Sequence, residues 1–146
     1  MYIVGFKCEP GWELFELSCY MIPEDHKNWE LAENDCVQKG GHLASIHSKE
    51  ENDFLLGLIG SGPIASPVSI IGGKVMTNLT LFWTDDVSGI TFDYAGPGLR
   101  GQILDGYGTE DCIGLMHGGE LADGTWIFDR CVNPHKYICK KALKGS

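Results

Sequence analysis

The sequence predicts one α+β domain stapled by disulfides, and three observations carry that reading. Both segments with helical periodicity lie in the first 60 residues, and the strand-forming pieces follow them. Six cysteines, Cys8, Cys19, Cys36, Cys112, Cys131 and Cys139, are even in number, and none forms a C-x-x-C pair. A glycine-rich stretch at 95–111 interrupts the strands with neither a helical nor a strand pattern.

The bulk composition bounds the function. A chain of 146 residues with 43% apolar and 21% charged residues fits one packed domain. There are 11 basic and 20 acidic residues, a formal charge of −9, and such a surface repels phosphate. Nucleic acid is therefore not an expected partner. No apolar run reaches the roughly 18 residues of a membrane-spanning helix. The opening "MYIVGF" is too short for a signal peptide's apolar core and cleavage site, so a leader or anchor would lie outside this chain. The cysteine spacing disfavours zinc knuckles and redox dithiols and favours three disulfides, whose 15 pairings arithmetic cannot choose between. Disulfides imply an oxidising compartment, so the expectation is a secreted domain or the extracellular face of a membrane protein. "NLT" makes Asn78 a candidate N-glycosylation site.

The elements follow in order. Residues 1–7 read as an N-terminal extension, 8–141 as the domain and 142–146 as a tail. "CEPGWELFELSCY" (8–20) opens on a Pro-Gly turn and gives a short, mostly buried strand, which a Cys8–Cys19 bridge would close as a hairpin. "NWELAENDCVQKGG" (28–41) is a helix capped by Asn28, with Trp29, Ala32, Cys36 and Lys39 on one face and Gly40-Gly41 as its stop. "HLASIHSKEENDFLLGLIG" (42–60) starts extended. Ser48 and Glu51 then form a capping box, and Phe54, Leu55, Leu58 and Ile59 make an apolar stripe. "VSIIGG", "LTLFWT", "ITFDY", "CIGLMH", "GTWIFDRC" and "HKYICKK" are strands. The 17-residue stretch 95–111 is a long irregular loop, and such loops in compact domains usually carry function.

These segments together resemble a C-type lectin-like domain. The resemblance rests on "CEPGWELFELSCY", "NWELAENDCVQKGGHLASIHSKEEN", "FWTDDVSGITFDY", "EDCIGL", "GTWIFDRC" and "YICKK", and it covers residues 8 to 140. It implies two helices packed on antiparallel sheets with a long loop region. It also implies the pairs Cys36–Cys139, Cys112–Cys131 and Cys8–Cys19, the last marking the family's longer form with an N-terminal hairpin bridge. Sugar-binding members hold Ca²⁺ with a Glu-Pro-Asn or Gln-Pro-Asp triplet in the long loop. They add an acid just before the cysteine matching Cys112 and an Asn-Asp pair directly after the tryptophan. Calcium takes about 6–8 oxygens, which is why those positions carry carboxylates and amides.

This sequence departs from that pattern. The Asn-Asp pair falls on Ile127 and Phe128, which have no side-chain oxygen. The triplet falls on Gln102, Ile103 and Leu104, or at a loop one residue shorter on Ile103, Leu104 and Asp105, and neither count supplies a proline. Glu110 survives, with Asp111 beside it. The resemblance therefore implies no cofactor at the family's primary calcium site. A displaced site would draw on Asp105, Glu110, Asp111 and Asp129.

Strand alternation sends Trp126 and Phe128 to one face and Ile127 to the other, so at least one face is core. The acids from Asp85 to Asp111 read mainly as a solvated loop surface, with Asp85 and Asp86 helping to turn the strand. "GPGLRG" (96–101) satisfies G-x-G-x-x-G but precedes no helix, so it is not a nucleotide fingerprint. His26, His42, His47, His117 and His135 read as surface or partly packed imidazoles. No nucleophile, base and orienter assemble in the sequence, so an enzyme is not expected. The expectation is a recognition domain for a protein ligand or a glycan, with Gln102, Asp105, Tyr107 and Glu110 on the long loop as ligand-binding candidates. The sequence does not set the oligomeric state.

Overall fold

The structure, a computed structural model, describes residues 7–60, 68–75, 81–85, 111–116 and 126–143. Strands β1 (Glu13–Phe15) and β2 (Ser18–Met21) form the expected hairpin, in register Glu13 to Tyr20 and Phe15 to Ser18. β1 is not the mostly buried strand expected: Leu14 and Leu17 are exposed, and burial falls instead on Trp12, Cys19 and Tyr20. Its turn places Glu16 at φ 54°, a left-handed backbone that a non-glycine residue seldom adopts. Strand β9 (Cys139–Ala142) pairs with β2 on one side and with β3 (His42–Leu43) on the other. The two ends of the domain thus share one sheet, ordered β1-β2-β9-β3.

Helix α1 (Trp29–Gln38) begins where the sequence placed it. The Asn28 side chain accepts from the Leu31 N–H at 2.9 Å. Trp29, Ala32 and Cys36 are buried, as their spacing requires. Lys39 does not continue that buried stripe. It lies just past the last helical turn, exposed, and donates to both Asp35 carboxylate oxygens at 2.7 Å. Gly40, at φ 96°, then reverses the chain into β3.

Helix α2 (Lys49–Gly60) starts at the predicted box, with Ser48 Oγ accepting from the Glu51 N–H at 3.0 Å. The reciprocal bond differs by one position: Glu51 Oε1 accepts from the His47 N–H, at 2.8 Å. The second carboxylate oxygen of Glu51 is taken by Tyr20 and Lys140, so the side chain serves the sheet as well as the helix start.

The second sheet runs β5 (Leu81–Trp83), β4 (Val68–Val75), β6 (Asp111–Met116), β7 (Trp126–Arg130), with β8 (Lys136–Tyr137) lying parallel to β4. The two sheets approach at Gly72. Its N–H donates to the Ala44 carbonyl at 2.7 Å, and a Cβ there would lie 2.6 Å from the Leu43 carbonyl. Only glycine permits that approach.

Alternation along the strands sorts the core into two clusters. Ile71, Ile113 and Ile138 join Tyr20, Leu55, Trp83, Leu115 and Trp126 in one. Their neighbours Ile70, Cys112 and Tyr137 join Trp12, Trp29, Cys36 and Leu43 in the other. Both faces of β4 are therefore buried. Phe54, Leu58 and Ile59 of α2 pack against the first cluster, as their stripe predicts. The three disulfides are Cys8–Cys19, Cys36–Cys139 and Cys112–Cys131, the pairing that the resemblance implies.

Candidate functional site

The described part of the candidate site is the set of strand segments that flank the long loop in sequence. It consists of the end of β5, the start of β6 and the whole of β7. Trp126 anchors it: the side chain is fully buried, meets Trp83 edge to face at 5.4 Å, and donates its indole N–H to Asn52 Oδ1 at 2.8 Å. Burying an indole N–H without an acceptor costs free energy, and for Trp126 α2 supplies the acceptor. β7 is thereby fixed against both β5 and α2.

The register then places the next residues. Ile127 pairs with Gly114, Phe128 with Ile113 and Asp129 with Cys112. Trp126 faces the core and Ile127 is half-buried, as alternation predicts. These two positions of β7, 127 and 128, carry a hydrocarbon and an arene where a calcium ligand set would need oxygens. Neither Ile127 nor Phe128 has a side-chain oxygen to offer a calcium ion.

Asp129, the one member of the displaced ligand set on β7, has internal partners. Asn133 Nδ2 donates to Asp129 Oδ1 at 3.1 Å, and the His135 Nε2 position is in hydrogen-bond contact with Asp129 Oδ2. The bend after Cys131 brings both partners back, closed by the Asn133 N–H donating to the Arg130 carbonyl at 3.0 Å. Asp111 opens β6 opposite Arg130. Gln102, Asp105, Tyr107, Glu110 and Asn78 lie outside the described residues, as do Asp86 and "ITFDY". The structure therefore brings Asp111 and Asp129 onto adjacent strands, and the loop candidates rest on the sequence.

Two clusters escaped the sequence reading. In the first, Glu51 Oε2 accepts from Tyr20 Oη at 2.5 Å and from Lys140 Nζ at 2.6 Å. Lys140 also donates to the Ser45 carbonyl at 3.0 Å. Ser45 Oγ in turn donates to Asp85 Oδ2 at 2.6 Å, so Asp85 is tied across the fold as well as sitting in a turn. Burial, and then the hydrogen bond to Glu51, push the Tyr20 hydroxyl far above its ordinary range. The capping box was the only sequence signal that Glu51 is special.

In the second, Tyr137 Oη donates to Asp35 Oδ2 at 2.5 Å. Burial alone would raise the Asp35 carboxyl. Hydrogen bonds from Lys39 and Tyr137 outweigh it and hold the pKa below the ordinary carboxylate value. Burial, and then Asp35, raise the Tyr137 hydroxyl. Two further imidazoles have partners: His42 Nδ1 lies 2.7 Å from Glu33 Oε2, and the His47 ring meets Trp83 edge to face.

The family model of the lectin C-type domain matches residues 25–141. The chain belongs to the C-type lectin domain family. A VP12 snaclec of Daboia palaestinae is 32% identical over 138 residues, covering 91% of this chain and 95% of that protein. A calcium-independent type II antifreeze protein superposes with a TM-score of 0.78 at 30% identity, covering 95% of this chain and 97% of that one. The SPL-1–GlcNAc complex superposes with a TM-score of 0.78 at 29% identity, covering 92% and 94%. This C-type lectin domain thus shares its fold with an antifreeze protein and with a GlcNAc-bound protein, so the fold alone does not name its ligand.

Proposed function

We propose that this C-type lectin domain is an extracellular, non-enzymatic recognition module that binds a protein or other ligand through its long-loop face without calcium. The observation that carries the reading is the pair Ile127 and Phe128 on β7, where the calcium-dependent pattern requires an amide and a carboxylate. Asp129, the next acid along the strand, is already engaged by Asn133 and His135. A related structure described as calcium-independent supports the same reading. Three disulfides support an oxidising, extracellular setting.

The test is thermal melting in EDTA and in millimolar calcium, with binding to a glycan array under both conditions. A tight site raises stability by RT ln(1 + [L]/Kd), about 2.7 kcal/mol at a hundredfold excess, which is several degrees for a domain of this size. We expect no shift and no EDTA-sensitive glycan binding. A calcium-dependent rise would move the assignment to a glycan-binding lectin with a displaced site. Alanine at Asp105, Glu110, Asp111 and Asp129 would then locate that site.

A further inference from the structure

Lys140 and Glu51 form an ion pair shielded from solvent, with side-chain exposures of 13% and 7%. The pair does more than neutralise itself. Lys140 Nζ lies 2.6 Å from Glu51 Oε2, 3.0 Å from the Ser45 carbonyl and 3.3 Å from Ser45 Oγ. An ammonium group only donates. Ser45 Oγ must therefore accept from it, and the single hydroxyl proton is left for Asp85 Oδ2, at 2.6 Å. The direction of every bond in the chain Glu51–Lys140–Ser45–Asp85 is fixed by its lysine. Ser45 is 1% exposed, so no water competes for the hydroxyl.

The far end of this chain is the turn after β5, the last described residues before 111. Asp85 directly follows Thr84, whose N–H donates to the Gly72 carbonyl at 3.1 Å, and β5 ends one residue earlier at Trp83. The near end is tied into the first sheet and the start of α2. Glu51 is held by Tyr20 and by the His47 N–H, and Lys140 sits on β9 between β2 and β3.

We infer that Lys140 is a positioning residue for the turn that ends β5: through Ser45 it pins Asp85, the residue from which the sequence runs on toward the loop candidates. The functional meaning of the tether rests on the reading that the long loop binds ligand, but its existence does not.

Amide hydrogen exchange tests the tether with no ligand present. The parent is compared with Ser45→Ala, Lys140→Met and Lys140→Arg, reading the Thr84 amide against amides of α1. A lost hydrogen bond to a charged group should speed local opening about tenfold. We expect that acceleration at Thr84 in Ser45→Ala and Lys140→Met, with a much smaller change in α1. Lys140→Arg, which keeps the donors, should restore most of the protection. If Lys140→Met fails to fold, Ser45→Ala alone carries the test, because it removes one oxygen and leaves the ion pair. Equal acceleration at Thr84 and in α1 would show a purely global stabilising role and overturn the inference, as would an unchanged Thr84. Neither result bears on the calcium and glycan experiments, so the two readings fail separately.

Discussion

Asp129 and His135 are bonded to each other across the bend that follows Cys131, and Asn133 holds the second carboxylate oxygen at 3.1 Å. An acid that stands three residues after Trp126 in the sequence is thus a part of the fold's own fastening. The strand that would supply calcium ligands instead carries Ile127 and Phe128, and the carboxylate that follows them is engaged internally.

Asp129→Ala should therefore lower stability by about 1–3 kcal/mol, since it strips partners from two part-buried side chains. The loss should be the same in EDTA and in millimolar calcium. Urea titrations under both conditions measure it. A loss that grows with calcium would identify Asp129 as a metal ligand and defeat the internal-fastening argument.

The tyrosines predict an alkaline limit. Tyr20 and Tyr137 are each 1% exposed and donate to carboxylates, so both hydroxyls titrate above the ordinary value of 10.0. A pKa raised in the folded state gives stability that is fully present below the ordinary value and is lost as pH rises toward the folded one. Absorbance titration of the five tyrosines should show two that ionise only as the protein unfolds, above about pH 10. Reversible ionisation of all five at their ordinary pH, with the fold intact, would contradict the buried geometry.

Acid acts on the other partner of Tyr137. The folded pKa of Asp35 is lowered from 3.8, so its contribution is complete above that value and disappears as pH falls through the lowered one. Tyr137→Phe removes one of the bonds that lower it. The variant should lose about 1–2 kcal/mol at neutral pH, and the difference from the parent should vanish as pH falls well below the ordinary carboxylate range. Denaturant titrations across that range decide. A difference independent of pH would assign the whole effect to packing.

The disulfides rank by the loops they close. Cys36–Cys139 spans 103 residues and Cys8–Cys19 spans 11. Chain entropy gives about 4.7 kcal/mol for a loop near 100 residues and roughly 3 kcal/mol or less for the short one. Replacing Cys36 and Cys139 by alanine should cost more than replacing Cys8 and Cys19. The opposite order of melting temperatures would show that native packing around the hairpin, and not loop closure, dominates.

Much of this architecture was legible in the residues, for identifiable reasons. Trp29, Ala32 and Cys36 repeat at helical spacing, Asn28 and Ser48 are caps, and the strands alternate, so each local signal agrees with the fold. The apolar substitution at Ile127 and Phe128 is likewise a statement about residue type at a counted distance from Trp126. The polar network was not legible. Glu51 and Lys140 are 89 positions apart, and Tyr137 and Asp35 are 102 apart. No periodicity links such pairs: the place of β9 between β2 and β3, beside the start of α2, joins the first, and the packing of β8 against α1 joins the second. Asp129 and His135 are close in sequence, but the bend that joins them has no pattern beyond a proline.

That network supplies the sharpest energetic test. Glu51 serves Tyr20, Lys140 and the His47 N–H at once, and it is 5% exposed. Glu51→Ala would leave the Lys140 ammonium buried without a carboxylate, facing the Ser45 oxygens and the Tyr20 ring, and removing one member of a buried pair costs about 3–5 kcal/mol. Replacing the pair together, Glu51→Leu with Lys140→Met, removes both charges and their desolvation. The double variant should therefore be more stable than Glu51→Ala, although the Tyr20 hydroxyl still loses its acceptor. Thermal and urea unfolding of the single and double variants measure the difference. If the double variant proves the less stable of the two, the attraction between Glu51 and Lys140 outweighs the cost of burying them, and the network is a net source of stability.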